Sequence, residues 1–136
     1  MFNVTKEICK VFRESGAPYD VEKKDGLSVV VADIPGVLVE GAKIRFIAEE
    51  EGCDITAVVS NFVKLNDKRR EQIYVLLNKL NSSFRYLRFR LDDKGEVIAE
   101  YDFPATSANV AEQAFEIYLT TMEVLDDAAK VILSVK

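Results

Sequence analysis

A chain of 136 residues, 49% apolar and 30% charged, has length for one hydrophobic core, and at this size it removes roughly 68% of its unfolded surface from water, so no disulfide or metal is needed to hold it together. It has no histidine and no tryptophan, and the missing histidine takes away the commonest general base, proton shuttle and metal ligand, and with them most hydrolase, metalloenzyme and triad chemistry. The net charge of −5 is uneven, with +6 in residues 64–90, −4 in 1–63 and −7 in 91–136; an acidic chain with one basic window disfavours nucleic acid as a partner, because salt competes along many phosphates.

Val4, Ile8, Val11 and Phe12 recur at helical spacing, Asn3 or Thr5 can cap the start, and Gly16 before Pro18 ends the run. This pattern predicts a first helix over about 4–15. Tyr19 and Val21 alternate with polar residues up to Lys24-Asp25-Gly26, a minor strand signal before a turn, and residues 27–32 form an apolar β-rich run stopped by Pro35-Gly36. Asp33-Ile34-Pro35-Gly36 has the aspartate-x-x-glycine form of a GTPase switch, but no GxxxxGK[ST] loop accompanies it. Nothing is there to cradle phosphates, so it reads as a strand-ending turn. Ile44, Phe46 and Ala48, then Ile55, Ala57 and Val59, give a hairpin whose register pairs Phe46 with Ala57 and Ile44 with Val59 on one apolar face. At its tip, Glu49, Glu50, Glu51 and Asp54 offer oxygen ligands to a hard cation. Consecutive acids point in alternating directions and lack EF-hand spacing, so a solvated tip is the simpler reading.

Asn66 or Asp67 opens a second helix striped by Ile73, Leu76, Leu77 and Leu80. Leu87, Phe89 and Leu91 share one face of the next strand, and the turn Asp92-Asp93-Lys94-Gly95 pairs Leu91 with Val97, Phe89 with Ala99 and Leu87 with Tyr101. The opposite face carries Tyr86, Arg88 and Arg90, facing Asp102, Glu100 and Ile98. Those three residues read either as an ordinary solvent face, with ion pairs of about 0.2 to 1 kcal/mol each, or as a partner-binding face, since interfaces favour Arg and Tyr. Residues 107–133 contain no helix breaker and predict a final helix of about 27 residues and about 40 Å. Ala111, Phe115, Tyr118, Met122, Leu125, Ala129 and Ile132 form a heptad-like seam on it. A second stripe runs through Ala114, Ile117, Thr121, Val124, Ala128 and Val131. One stripe satisfies a sheet contact, so the second needs another neighbour, and Ile117, Val124 and Val131 are candidate contacts of a homodimer if that neighbour is not another helix of the same chain.

Strands in two blocks, separated by a helix and flanked by helices with short connections, predict a single α+β domain over 1–136: an antiparallel sheet of about five strands with helices on one face. Cys9 and Cys53 lack CxxC spacing and read as buried small residues. With no secretory signal visible and no apolar run near the ~18 residues of a membrane helix, the expected location is the cytoplasm, without a membrane partner.

The stretch Leu77-Asn78-Lys79-Leu80-Asn81, then Phe84-Arg85-Tyr86-Leu87-Arg88-Phe89-Arg90-Leu91-Asp92-Asp93 and residues 97–104, resembles the YbjN family of bacterial sensory transduction regulators. The resemblance implies a fold like that of the type III secretion chaperones, in the order α-β-β-β-α-β-β-α, which agrees with the elements above when 19–24 is minor. It assigns no catalytic, metal or cofactor residue. It implies a bacterial protein that binds other proteins or modulates regulation. The expected function is a non-enzymatic, chaperone-like protein-binding or regulatory module that can form a homodimer; the alternative is a small-molecule-binding sensory domain using the open sheet face and the groove beside the final helix. For Asn78 and Asn81 the residues alone suggest a structural role, capping helix carbonyls or taking left-handed geometry before the strand.

Overall fold

The computed structural model describes residues 2–35, 41–49, 54–64, 70–83, 87–104 and 109–133. In chain order these form α1 (Asn3–Glu14), β1 (Asp20–Lys24), β2 (Leu27–Asp33), β3 (Lys43–Ala48), β4 (Ile55–Lys64), α2 (Arg70–Ser83), β5 (Arg88–Leu91), β6 (Glu96–Phe103) and α3 (Val110–Leu133). The fold is α+β, and one antiparallel sheet runs in the order β1-β2-β3-β4-β6-β5.

Six strands stand where about five were expected, because residues 20–24 pair along their whole length, from Asp20 opposite Val31 to Lys24 opposite Leu27. The polar composition of β1 undersells it; the turn explains it. Asp25 and Gly26 both have positive φ, 52° and 81°, the two-residue geometry whose twist matches paired strands. Helix α1 starts after Phe2 with no side-chain cap, so neither Asn3 nor Thr5 caps it, and Thr5 is buried instead. Its C-terminus closes as expected at Gly16, φ +73°, where Ala17 N–H reaches Phe12 O at 2.9 Å and Gly16 N–H reaches Arg13 O at 3.2 Å.

The β3–β4 and β5–β6 hairpins have the registers the apolar alternation demands: Phe46 opposite Ala57 and Ile44 opposite Val59, Phe89 opposite Ala99 and Leu91 opposite Val97. The two blocks are sewn together by β4 and β6, from Ile55 opposite Phe103 through Val59 opposite Ala99, then, after an irregularity, Val63 opposite Val97. Asn66 and Asp67, the expected start of α2, lie outside the described residues, as do 107 and 108 before α3.

The helices cover one sheet face: α1 packs over β2, α2 against β5, and α3 over β4 while touching both other helices. Phe12, fully buried, anchors this layer, with ring centroids 5.1 Å from both Phe115 and Tyr118 and 5.9 Å from Phe46. The first stripe of α3 thus meets α1. The second stripe is also largely covered within the chain: Ile117 is buried, Val124 is half-buried against the core, and Val131 is 40% exposed. Thr121, buried in that stripe, satisfies its hydroxyl by donating to Ile117 O at 2.7 Å.

Candidate functional site

The sheet face without helices is built by the alternate residues of each strand. Val29 and Val31 of β2 lie on it yet are only 6% exposed, and Ile47 of β3, Val58 of β4 and Ile98 of β6 are half-buried farther along the same face. Long polar side chains close over this apolar centre. Arg45 lies between Glu22 at 3.6 Å and Ser60, to whose hydroxyl it donates at 3.0 Å. Lys43 meets Asp33 at 2.7 Å.

Arg88 and Arg90 are on this face and exposed. They stand directly opposite Glu100 and Ile98, but their ion pairs run diagonally. Arg88 donates to Asp102 at 2.9 Å and Arg90 to Glu100 at 3.0 Å. Asp102 also accepts from the Thr56 hydroxyl at 2.7 Å, so β4, β6 and β5 are cross-linked in one row. Tyr86 lies outside the described residues, as do Glu50, Glu51 and Cys53; Glu49 and Asp54 are exposed. Cys9 is buried, and burial pushes its thiol above the ordinary range.

A second concave surface lies on the other side, where the end of β6 meets the outer flank of α3. It is a half-open groove of about 620 Å³. Tyr101, Phe103 and Pro104 line it from the strand side, and Asn109, just before α3, with Gln113, Glu116, Ile117, Leu119, Thr120 and Glu123 from the helix side. The Tyr101 and Phe103 rings stack 6.0 Å apart with 16° between their planes. Glu116, Leu119 and Glu123 are exposed. Sequence reasoning named a groove beside the last helix but not these residues. The signal was present in the polar run Asn109, Gln113, Glu116, Thr120 and Glu123, which shares one side of the helix by its spacing of four and three.

Of the two motif asparagines, Asn81 has a defined task. Its carboxamide accepts from Phe89 N–H at 2.6 Å and donates to Phe89 O at 3.1 Å. Phe89 lies on β5, the last strand of the sheet, and Asn81 therefore pairs with backbone groups that face away from β6, as a neighbouring strand would. The role is structural, as expected, but it is exercised on a strand edge and not on helix carbonyls. Asn78 contributes its backbone carbonyl to the Ser82 hydroxyl at 3.1 Å.

No helix among the described residues is long and apolar enough to cross a membrane. No curated protein and no solved structure matches the chain significantly. A family model does match, over residues 5–130, and its description, "putative bacterial sensory transduction regulator", names regulation and no reaction. With nearly the whole fold inside that match, including Asn81, both hairpins and most of α3, the chain belongs to the YbjN family.

Proposed function

We propose that the protein is a non-enzymatic, chaperone-like regulatory module that acts in the cytoplasm by binding a protein partner through its open sheet face. The observation that supports this is the set of half-buried apolar side chains Ile47, Val58 and Ile98 on the sheet face that the helices leave open, with the exposed Arg88 and Arg90 at its β5 edge. Apolar side chains next to exposed arginine are a composition that recognition surfaces favour. Both arginines already hold carboxylates of the same chain, so a partner gains by covering Ile47, Val58 and Ile98 and exchanging those pairs for its own.

The test is capture from bacterial lysate by wild type and by Arg88→Ser/Arg90→Ser. Exposed pairs contribute only about 0.2 to 1 kcal/mol to folding, so the variant remains folded and loses its partner; equal capture by both proteins assigns the arginines to solvent. A second reading, a small-molecule sensory domain, is favoured by the groove of about 620 Å³, within the range of roughly 300 to 1,000 Å³ typical of ligand sites. A metabolite that raises the melting temperature while no protein is captured selects that reading. Homodimerisation through α3 would draw chiefly on Val131, since Ile117 and Val124 are already engaged inside the chain.

A further inference from the structure

The groove beside α3 has a length, a charge and a floor that together select an occupant. From Asn109 to Glu123 it follows the helix for about 21 Å, at 1.5 Å per residue. Its strand-side wall is the half-buried Tyr101 ring, stacked on the buried Phe103, and Leu119 adds exposed aliphatic surface on the helix side. The charged residues lining it are Glu116 and Glu123, two helical turns apart, and no basic residue lines it among the described residues. The trough's carboxylates are exposed, whereas a site for a compact metabolite encloses about 70–90% of its ligand. An extended peptide needs no such enclosure: six or seven residues at about 3.3 Å each span the trough, with apolar side chains on the rings and cationic ones at the carboxylates.

We infer that this groove binds an extended segment of a partner protein in which lysine or arginine alternates with apolar residues. The inference rests on the partner-binding reading above but uses a different surface, so Arg88 and Arg90 take no part in it. The acidic character of α3, with Glu112, Glu116, Glu123, Asp126 and Asp127 against Lys130, steers such a segment toward the groove and makes its capture sensitive to salt.

The probe is a fluorescein-labelled, end-capped heptapeptide alternating lysine with valine and phenylalanine, followed by anisotropy with the full chain, beside a version with glutamate in place of lysine. The lysine peptide binds and weakens as salt rises, and the glutamate peptide does not bind. Glu116→Gln/Glu123→Gln lowers affinity by about three- to tenfold, in line with rim charge pairs. Thr120→Arg, which places bulk and positive charge midway along the trough, abolishes binding while circular dichroism stays unchanged. Arg88→Ser/Arg90→Ser binds the peptide like wild type, which separates this site from the open face. Equal binding of both peptides, or binding indifferent to the groove variants, overturns the inference. So does a linear polyamine that binds the groove where the peptide fails, or a concentration-dependent dimer that Thr120→Arg dissolves, since each names another occupant.

Discussion

At Asp92 one carboxylate oxygen accepts from Glu96 N–H at 2.8 Å and from Lys94 N–H at 2.9 Å, and the turn closes with Gly95 in left-handed geometry at φ +82°. The Glu96 amide is the main reason its carboxyl lies below the ordinary carboxylate range, with Lys94 N–H and the nearby Arg90 and Lys94 charges assisting against desolvation. A depressed folded-state pKa contributes stability above the unfolded value of about 3.9, and that contribution disappears as pH falls through the lower folded value. Asp92→Asn keeps an oxygen acceptor and cannot titrate, so the stability difference between wild type and variant narrows on acidification; urea melts from neutral pH downward measure it. Phe89 tests the core instead. It is buried at 3% exposure opposite Ala99, so Phe89→Ala lowers stability by about 3 to 5 kcal/mol through lost burial and a residual cavity. A loss under about 1 kcal/mol in denaturant melts contradicts its placement. Asn81→Ala leaves the Phe89 amide and carbonyl without their carboxamide partner and costs about 1 to 3 kcal/mol, the range for partly buried groups stripped of their bonds.

Elements differ in how far local pattern reaches. The hairpins were legible because an apolar period of two, once one face is buried, permits one register; Ile44, Phe46 and Phe89 each pair as that rule requires. Strand β1 is a minor signal because its apolar alternation stops at Tyr19 and Val21 and gives way to Glu22, Lys23 and Lys24, and its pairing follows from the left-handed pair Asp25-Gly26. The β4–β6 pairing joins residues more than thirty positions apart, and no local spacing encodes it. The groove was illegible in detail for the same reason: Tyr101 and Glu116 belong to different elements, and only the packing of α3 on the sheet brings them together. For the second stripe of α3 the spacing leaves open whether the neighbour is internal or a second copy, and burial varies along it. Val124 is half-buried against the core whereas Val131 is 40% exposed. Val124→Glu therefore lowers the melting midpoint at every protein concentration, while Val131→Glu stays within about 0.5 kcal/mol of wild type, as surface substitutions do. Light scattering on Val131→Glu reads the dimer contact separately from folding.

At the scale of the whole molecule, a single cluster of buried side chains takes members from all three helices and from both strand blocks, from Val4 to Ile132. We propose that 1–136 folds as one domain, which predicts one transition: far-ultraviolet circular dichroism and tyrosine fluorescence give the same midpoint and slope in urea. Separate midpoints would divide the chain at the β4–β6 seam. The two surfaces proposed for binding lie on opposite sides of that core, the arginine-edged sheet face on one and the acidic α3 groove on the other, so occupation of one leaves the other accessible.

The grip of Asn81 on Phe89 also turns a backbone amide into a clock. An outward-facing N–H on the last strand of a sheet ordinarily exchanges its hydrogen for deuterium at the pace of fraying. Here that amide is released only when the end of α2 lifts from β5. Phe89 is thus expected to exchange in step with the inner amides of α2 and more slowly than its neighbours on the same edge, and Asn81→Ala returns it to their rate. Isotope exchange at this one position therefore times the undocking of a helix.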